Sequence, residues 1–363
     1  MSSPDSPDEF VLVRRVGAVT HLTLNRPRAI NALNVDMVRT VRDAVRAAQN
    51  DGSPAIVLDG AGERGFCGGG DVKAMVAGGA AGGRAFLSNE YQADFAVHRS
   101  TVPVVGFMDG ITMGGGIGLT SHAAVRIVTE RSRLAMPETR IGIVPDVGGN
   151  LLLAQAPGRI GELLAITSGS FGAADAIALG FADHFVPSER LSELRDAFFA
   201  GSAVADAIER CAEPAPESTL CADHAWFDAL ADEALGSAEQ TLADPVAAAS
   251  RLLAALEGSS LDSAREVAST VRSMSPMSVV VALAQLARTR LAQLDLASVL
   301  ADDYRVLGRL FERTDFSEGV RAHLIERDGA PLWSPTVIET LDPDAVAAIL
   351  DPVLREDESP LAL

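Results

Sequence analysis

Lysine is almost missing from these 363 residues: Lys73 is the one lysine, and every other basic residue is arginine. Acidic residues outnumber basic ones 49 to 30, a formal net charge of −19. Nucleic acid is therefore excluded as a partner, because replacing phosphate counterions takes a basic face. Any anionic ligand needs a local exception to that charge. Cysteine is scarce too. Cys67, Cys211 and Cys221 are odd in number and scattered, which fits reduced thiols rather than a disulfide framework. Cys211, Cys221 and His224 match no zinc-ligand spacing, so no metal is expected. No run of 18 or more apolar residues occurs, so no membrane span is expected. The acidic, polar start Met1–Phe10 lacks the basic and apolar regions of a secretory signal and the arginines of a transit peptide, which reads as a cytoplasmic protein. There is no repeat of fixed period, no GxxxxGK[ST] phosphate loop and no clear dinucleotide fingerprint.

What is present is a large apolar fraction, 48%, in a chain long enough for more than one structural unit. Phe10–Val13, Val19–Leu24, Ala55–Asp59, Val102–Phe107 and Val125–Thr129 read as short strands. Asn34–Ala48 has helical spacing of Met37, Val38, Val41 and Val45. Strand, glycine turn and helix alternate through about residue 190, an α/β pattern. The composition then shifts to Ala, Glu, Asp and Ser. Leu220–Leu256 reads as several helices, Ser275-Pro276 opens another, and one more covers about Leu296–Phe311. We divide the chain into a core over 10–195 and a helical region over 196–363.

Two glycine turns stand out, Gly68-Gly-Gly70 and Gly114-Gly-Gly116. Each lets backbone approach a ligand with bare N–H donors, and the second precedes a helix whose N-terminus favours negative charge. One donor from each turn makes an oxyanion hole. Glu138 and Asp146 follow in an apolar, glycine-rich setting. Two carboxylates in one apolar pocket push their pKa values apart, which suits separate acid and base roles. Each has a plainer reading: Glu138 as a loop residue salt-bridged to Arg140, and Asp146 as an N-cap for a helix starting near Val147.

Taken together, Leu24-Asn-Arg-Pro27, Asn31-Ala-Leu-Asn34, Phe66-Cys-Gly-Gly-Gly-Asp71, Gly114-Gly-Gly116, Pro137-Glu138 and Pro145-Asp-Val-Gly-Gly149 resemble the crotonase (enoyl-CoA hydratase/isomerase) superfamily. The resemblance implies a crotonase-like α/β spiral core of repeated ββα units with a helical C-terminal region. It implies an acyl-CoA substrate, with CoA as part of that substrate and no separate cofactor. It assigns the thioester oxygen to the backbone N–H groups of Gly68 and Gly115. It puts Arg28, Gly68 and Asp71 on the CoA side, and Arg26, Lys73 and Arg84 also flank the site. Members of the superfamily commonly form trimers or hexamers, so a homo-oligomer is implied.

Within the superfamily the chain resembles a branch that hydrolyses 3-hydroxyacyl-CoA thioesters in valine breakdown. Glu90-Tyr91 resembles an upstream pair that this branch places near the substrate, although Asp94 stands where the branch has Asn. Ser275-Pro276, Tyr304-Arg305 and Asp315–Ala322 extend the likeness into the tail. Hydratases of the superfamily use two glutamates, and the position of the first is Gly118 here, while Asp146 appears where they carry glycine. One carboxylate is lost and another gained, which favours thioester hydrolysis. Glu138 is then the active carboxylate, as nucleophile or as general base on water. Asp146 orients the substrate hydroxyl or helps protonate the departing thiolate. Isomerisation, which needs a single carboxylate, stays open, as does a CoA-binding protein without turnover.

Overall fold

The computed structural model describes residues 9–363, so most of the reading of Met1–Phe10 lies outside the described residues. The chain forms two compact units, each assembled from separated segments. The first takes residues up to 71, 89–134 and 171–218; the second takes 72–88, 135–170 and 219–363.

The first unit is built on a six-stranded sheet. Its strands are β1 (Val11–Val16), β2 (Val19–Leu24), β3 (Ile56–Gly60), β4 (Val104–Met108), β5 (Val125–Val128) and β6 (His184–Phe185), paired in that order. β1 and β2 form an antiparallel hairpin, and every later pairing is parallel, with Thr20 opposite Ile56, Val57 opposite Val105 and Val105 opposite Val125. Parallel neighbours need a crossover. Between β2 and β3 it is helix α1 (Val35–Ala48), whose cap Asn34 accepts from the Met37 N–H at 2.9 Å. Met37, Val38, Val41 and Val45 are all buried, as their spacing predicts. Each such side chain contributes about 1.5–3 kcal/mol by leaving water. Two later helices, Leu191–Phe199 and Val204–Cys211, place Leu194, Phe198, Ile208 and Cys211 in one core with Val57, Val105, Phe107 and Ile127 of the sheet. Residues 196–218 thus pack with the strands, because their apolar face matches the sheet.

The second unit is helical around Pro276–Ala292, which is buried along nearly its whole length. Ser275 caps it, accepting from the Ser278 N–H at 3.3 Å, and Pro276 occupies its first turn. Leu296–Leu310 follows. Gly149–Gln155 and Ile160–Thr167 pack on the central helix within this unit. The helical stretch Val72–His98 is interrupted at Gly79, whose φ of 64° leaves the helical region.

Candidate active site

The candidate residues fall into two groups, one in each unit. In the first unit the glycine turn after β3 is tied down by Asn31, buried and left-handed at φ 53°. Its amide donates to the carbonyls of Ala61 (3.0 Å) and Phe66 (2.8 Å), and its oxygen accepts from the Arg26 N–H (2.9 Å). Asparagine tolerates that conformation better than other non-glycine residues. Leu33 then holds the turn on both sides: its N–H donates to Gly69 O (2.9 Å), and its carbonyl accepts from Asp71 N (2.8 Å). The strand Ile111–Met113 pairs with Cys67 through Cys67 N to Ile111 O (3.1 Å) and Met113 N to Cys67 O (3.0 Å). The two glycine turns are thereby neighbours. A Cβ on Gly69 would lie 3.2 Å from Met113 O and 3.9 Å from Gly114 Cα.

This geometry corrects one assignment. The Gly68 N–H already donates to Ile30 O at 2.7 Å, so it is not free to hold an oxyanion. In the bridge between Leu33 and Gly70 the flanking groups of Gly69 and Asp71 point at Leu33. Peptide groups alternate along extended chain, so the Gly70 N–H points the other way. No acceptor for it occurs among the described residues. The Gly115 N–H is in the same state: it opens helix Gly115–Thr120 behind Gly114, where the first N–H groups have no intrahelical acceptor. Gly70 and Gly115 are the donors this geometry offers.

Glu90 is brought to this spot. It is buried, and a Cβ added to Gly115 would fall inside van der Waals contact of its Oε1. Asp94, one helical turn on, and Tyr91 are also buried. Cys67 behaves as a small buried group. Burial first, then the charges of Glu90 and Asp94, push its thiol up to about 12. On the proposed CoA side, Asp71 pairs with Arg26 at 3.2 Å, and Arg26 also lies over the Phe10 ring. A carboxylate engaged by arginine braces the turn and repels phosphate, so Asp71 is better read as a strut than as a CoA contact. Arg28 is exposed on the turn Pro27–Ala29 and carries no ion pair among the described residues; Lys73, a residue of the second unit, is also exposed and carries none among them.

In the second unit Glu138 opens the short turn Glu138–Ile141. Thr139 fastens that turn, its hydroxyl donating to Ala165 O (2.6 Å) and its carbonyl accepting from Ser275 N (3.2 Å). Asp315, in turn, accepts from the Ser275 hydroxyl at 2.8 Å. These bonds explain why Ser275 and the 315 segment go with Glu138. Asp146 sits in a loop where Val147 (φ 51°) and Gly148 (φ 75°) are both left-handed. A β-branched residue there is strained, at roughly 1–3 kcal/mol. The helix after the loop starts at Gly149 with Gly148 as its cap, so Asp146 is not the N-cap. Met136, just before Glu138, packs on the Cα of Gly149, which draws the two carboxylate segments together.

Glu138 and Asp146 are each 6% exposed. Burial, then the charge of Asp146, pushes the Glu138 carboxyl well above the usual glutamate range; Asp303 adds to this. Glu138 Oε2 has no hydrogen-bond partner among the described residues, and no ion pair to Arg140 forms. Asp303, fully buried on helix Leu296–Leu310, was invisible to sequence reasoning. Only the neighbouring Tyr304-Arg305 hinted at the segment. Arg84 is spoken for: it pairs with Glu312 and lies against Gly308.

A model described as "Enoyl-CoA hydratase/isomerase" matches residues 19–350. The chain is 33% identical over 352 residues to the Gallus gallus protein named 3-hydroxyisobutyryl-CoA hydrolase, mitochondrial, covering 96% of this chain and 90% of that relative. Among solved structures it matches one described as a carnitinyl-CoA dehydratase from Mycobacterium thermoresistibile, with TM-score 0.86, 38% identity, and 95% and 97% of the two chains covered. It also matches one described as an enoyl-CoA hydratase from Rhodobacter sphaeroides 2.4.1, with TM-score 0.85, 36% identity, and 95% and 98% covered.

Proposed function

The chain belongs to the enoyl-CoA hydratase/isomerase family, and from that premise we propose that it hydrolyses a short-chain 3-hydroxyacyl-CoA thioester, 3-hydroxyisobutyryl-CoA, to the free acid and CoA. The observation that carries this reading is the buried pair Glu138 and Asp146, in which the Asp146 charge raises the Glu138 carboxyl, in a chain with glycine at position 118. Hydrolysis needs one carboxylate to act at the carbonyl and a second to manage a proton. The pair supplies both, and residue 118 supplies neither.

In this reading the N–H groups of Gly70 and Gly115 hold the thioester oxygen. Glu138 attacks the carbonyl carbon as a nucleophile, or draws a proton from water that attacks it. The tetrahedral oxyanion collapses, the C–S bond breaks, and the CoA thiolate takes up a proton, with Asp146 as its source or as the group that orients the substrate hydroxyl. With Glu138 as nucleophile the product is a mixed anhydride, which water then hydrolyses to the acid. Arg28 and Lys73 serve the CoA phosphates, and Glu90 contacts the acyl portion beside Gly115. The name of the Gallus gallus relative, 3-hydroxyisobutyryl-CoA hydrolase, supports hydrolysis of that thioester, and a place in valine breakdown is part of the same proposal. The two solved structures favour a second reading, addition or removal of water at an enoyl-CoA, from their descriptions.

Free thiol release from 3-hydroxyisobutyryl-CoA, run beside crotonyl-CoA hydration, separates them. Hydrolysis predicts rapid thiol release that falls by about 10²–10⁴-fold in Glu138→Ala and in Asp146→Ala, with little hydration. Hydration without thiol release overturns the proposal.

A further inference from the structure

Asp303 is a fully buried carboxyl beside the Glu138–Asp146 pair that the reaction above does not use. Its Oδ1 accepts from the Gln285 amide (3.2 Å) and the Asn150 amide (3.5 Å). Its Oδ2 has no partner among the described residues. Asn150 and Gln285 are themselves buried, and the Thr289 hydroxyl donates to Asn150 Oδ1 at 3.4 Å. Asn150 lies one residue into the helix that follows the strained Val147-Gly148 turn. The Asp146 loop is thus fastened at its C-terminal end to a carboxyl carried by a distant helix.

We infer that Asp303 is a positioning residue for Asp146: through its hydrogen bond to Asn150 it holds the 145–149 loop in the conformation that presents the second carboxylate. Several charges surround it. Burial, then Asp146 and Asp302, push the Asp303 carboxyl well above the usual aspartate range, while the Asn150 amide and the Gly148 N–H pull it down. Asp302 is itself paired with Arg288 at 2.7 Å and with Arg305. Glu138 feels Asp303 as well. Removing Asp303 therefore both loosens the loop and alters the field at Glu138.

The inference rests on the hydrolase reading only for its substrate. The test uses the full chain with Asp303→Asn, Asp303→Ala, Asp303→Leu, Asp146→Ala and the double variant Asp303→Ala/Asp146→Ala. Thiol release and crotonyl-CoA hydration are both measured, with backbone amide exchange over 143–155. Asparagine keeps the Oδ1 acceptor, so Asp303→Asn should keep the loop protected and hold kcat far above that of Asp303→Ala. Asp303→Ala should speed loop exchange and lower kcat by about 10²-fold, the scale of a misplaced catalytic group, with KM little changed. The double variant should be no slower than Asp146→Ala alone. If Asp303→Ala does not fold, Asp303→Leu keeps the volume and tests the same point. Unchanged loop exchange in Asp303→Ala or Asp303→Leu overturns the inference, and so do losses that multiply with Asp146→Ala. If the wild type catalyses neither reaction, the hydrolase reading fails, and loop exchange still decides the role of Asp303.

Discussion

Gly115→Ala sets two effects against each other. Gly115 has an ordinary helical backbone, outside the positive-φ residues, so alanine is conformationally allowed. Relative to glycine, alanine favours a helix by up to about 1 kcal/mol. Against that, the new methyl would lie 3.0 Å from Leu33 Cδ1, 3.3 Å from Glu90 Cδ, and inside contact distance of Glu90 Oε1. Both neighbours are buried, so neither can swing into solvent. Overpacking of this kind costs about 1–3 kcal/mol, so the clash wins and the variant is destabilised. The carboxylate or the Gly115 peptide must move, and with Gly115 as the proposed oxyanion donor that displacement should lower kcat by about 10²–10³-fold. Glu90→Ala removes the obstructing atoms, so in that background Gly115→Ala should lose most of its stability penalty. Denaturant melts and thiol release on the wild type, both single variants and the double variant form a complete cycle. The expected coupling is at least about 1 kcal/mol, within the range for residues in contact. A Gly115→Ala protein as stable and as fast as the wild type would refute the reasoning, as would single penalties that simply add.

Gly68→Ala should be close to silent in thiol release, because its N–H is already bonded to Ile30 and a Cβ there meets Ile30 at an ordinary 3.5 Å; a large loss would restore Gly68 as the donor. Asp146→Asn removes a like charge that raises the Glu138 pKa. In the proposed hydrolysis Glu138 acts as carboxylate, so the acid limb of the pH–rate profile should move to lower pH; an unmoved limb, or one moved to higher pH, contradicts that interaction. Arg309 is buried against Glu358 at 2.7 Å and the carbonyls of Ala348, Ile349, Asp351 and Val353. Arg309→Ala removes the main partner of that buried carboxylate, which keeps only the Arg355 N–H at 2.9 Å and Arg84 at 3.9 Å, and should cost about 3–5 kcal/mol in a denaturant melt. The Arg309 guanidinium first, then the Arg355 N–H, pull the Glu358 carboxyl down to about 2 against the opposing effect of burial. A depressed carboxylate stabilises the fold above its unfolded value and loses that stabilisation as pH falls toward the folded one. The acid-side drop in Tm over that window should therefore shrink in Arg309→Ala; an equal drop would show the pair is not its source.

Much of the fold was legible in the sequence because local periodicity and punctuation carry it. The spacing of Met37, Val38, Val41 and Val45 predicted a buried helical face, and Ser275-Pro276 predicted a helix start. The glycine triplets marked the turns, and the absence of a side chain at Gly118 together with Asp146 narrowed the chemistry. The grouping of residues 135–170 with the late helices, and of 171–218 with the strands, was not legible. It depends on which apolar faces meet, and periodicity reveals a face without naming its partner.

Which glycine N–H is free illustrates the limit. Gly68, Gly69 and Gly70 are chemically identical in the sequence. The fold alone gives Ile30 O to the first, Met113 and Gly114 as close neighbours to the second, and no acceptor among the described residues to the third. Asp303 and Arg84 make the same point. One is an undistinguished helix aspartate until burial and Asn150 tie it to the Asp146 loop; the other is a candidate phosphate ligand until Glu312 takes it. Residue types and spacing decide what chemistry a chain can carry. Burial and long-range hydrogen bonds, set only when distant segments pack, decide which copy of a group is left to perform it.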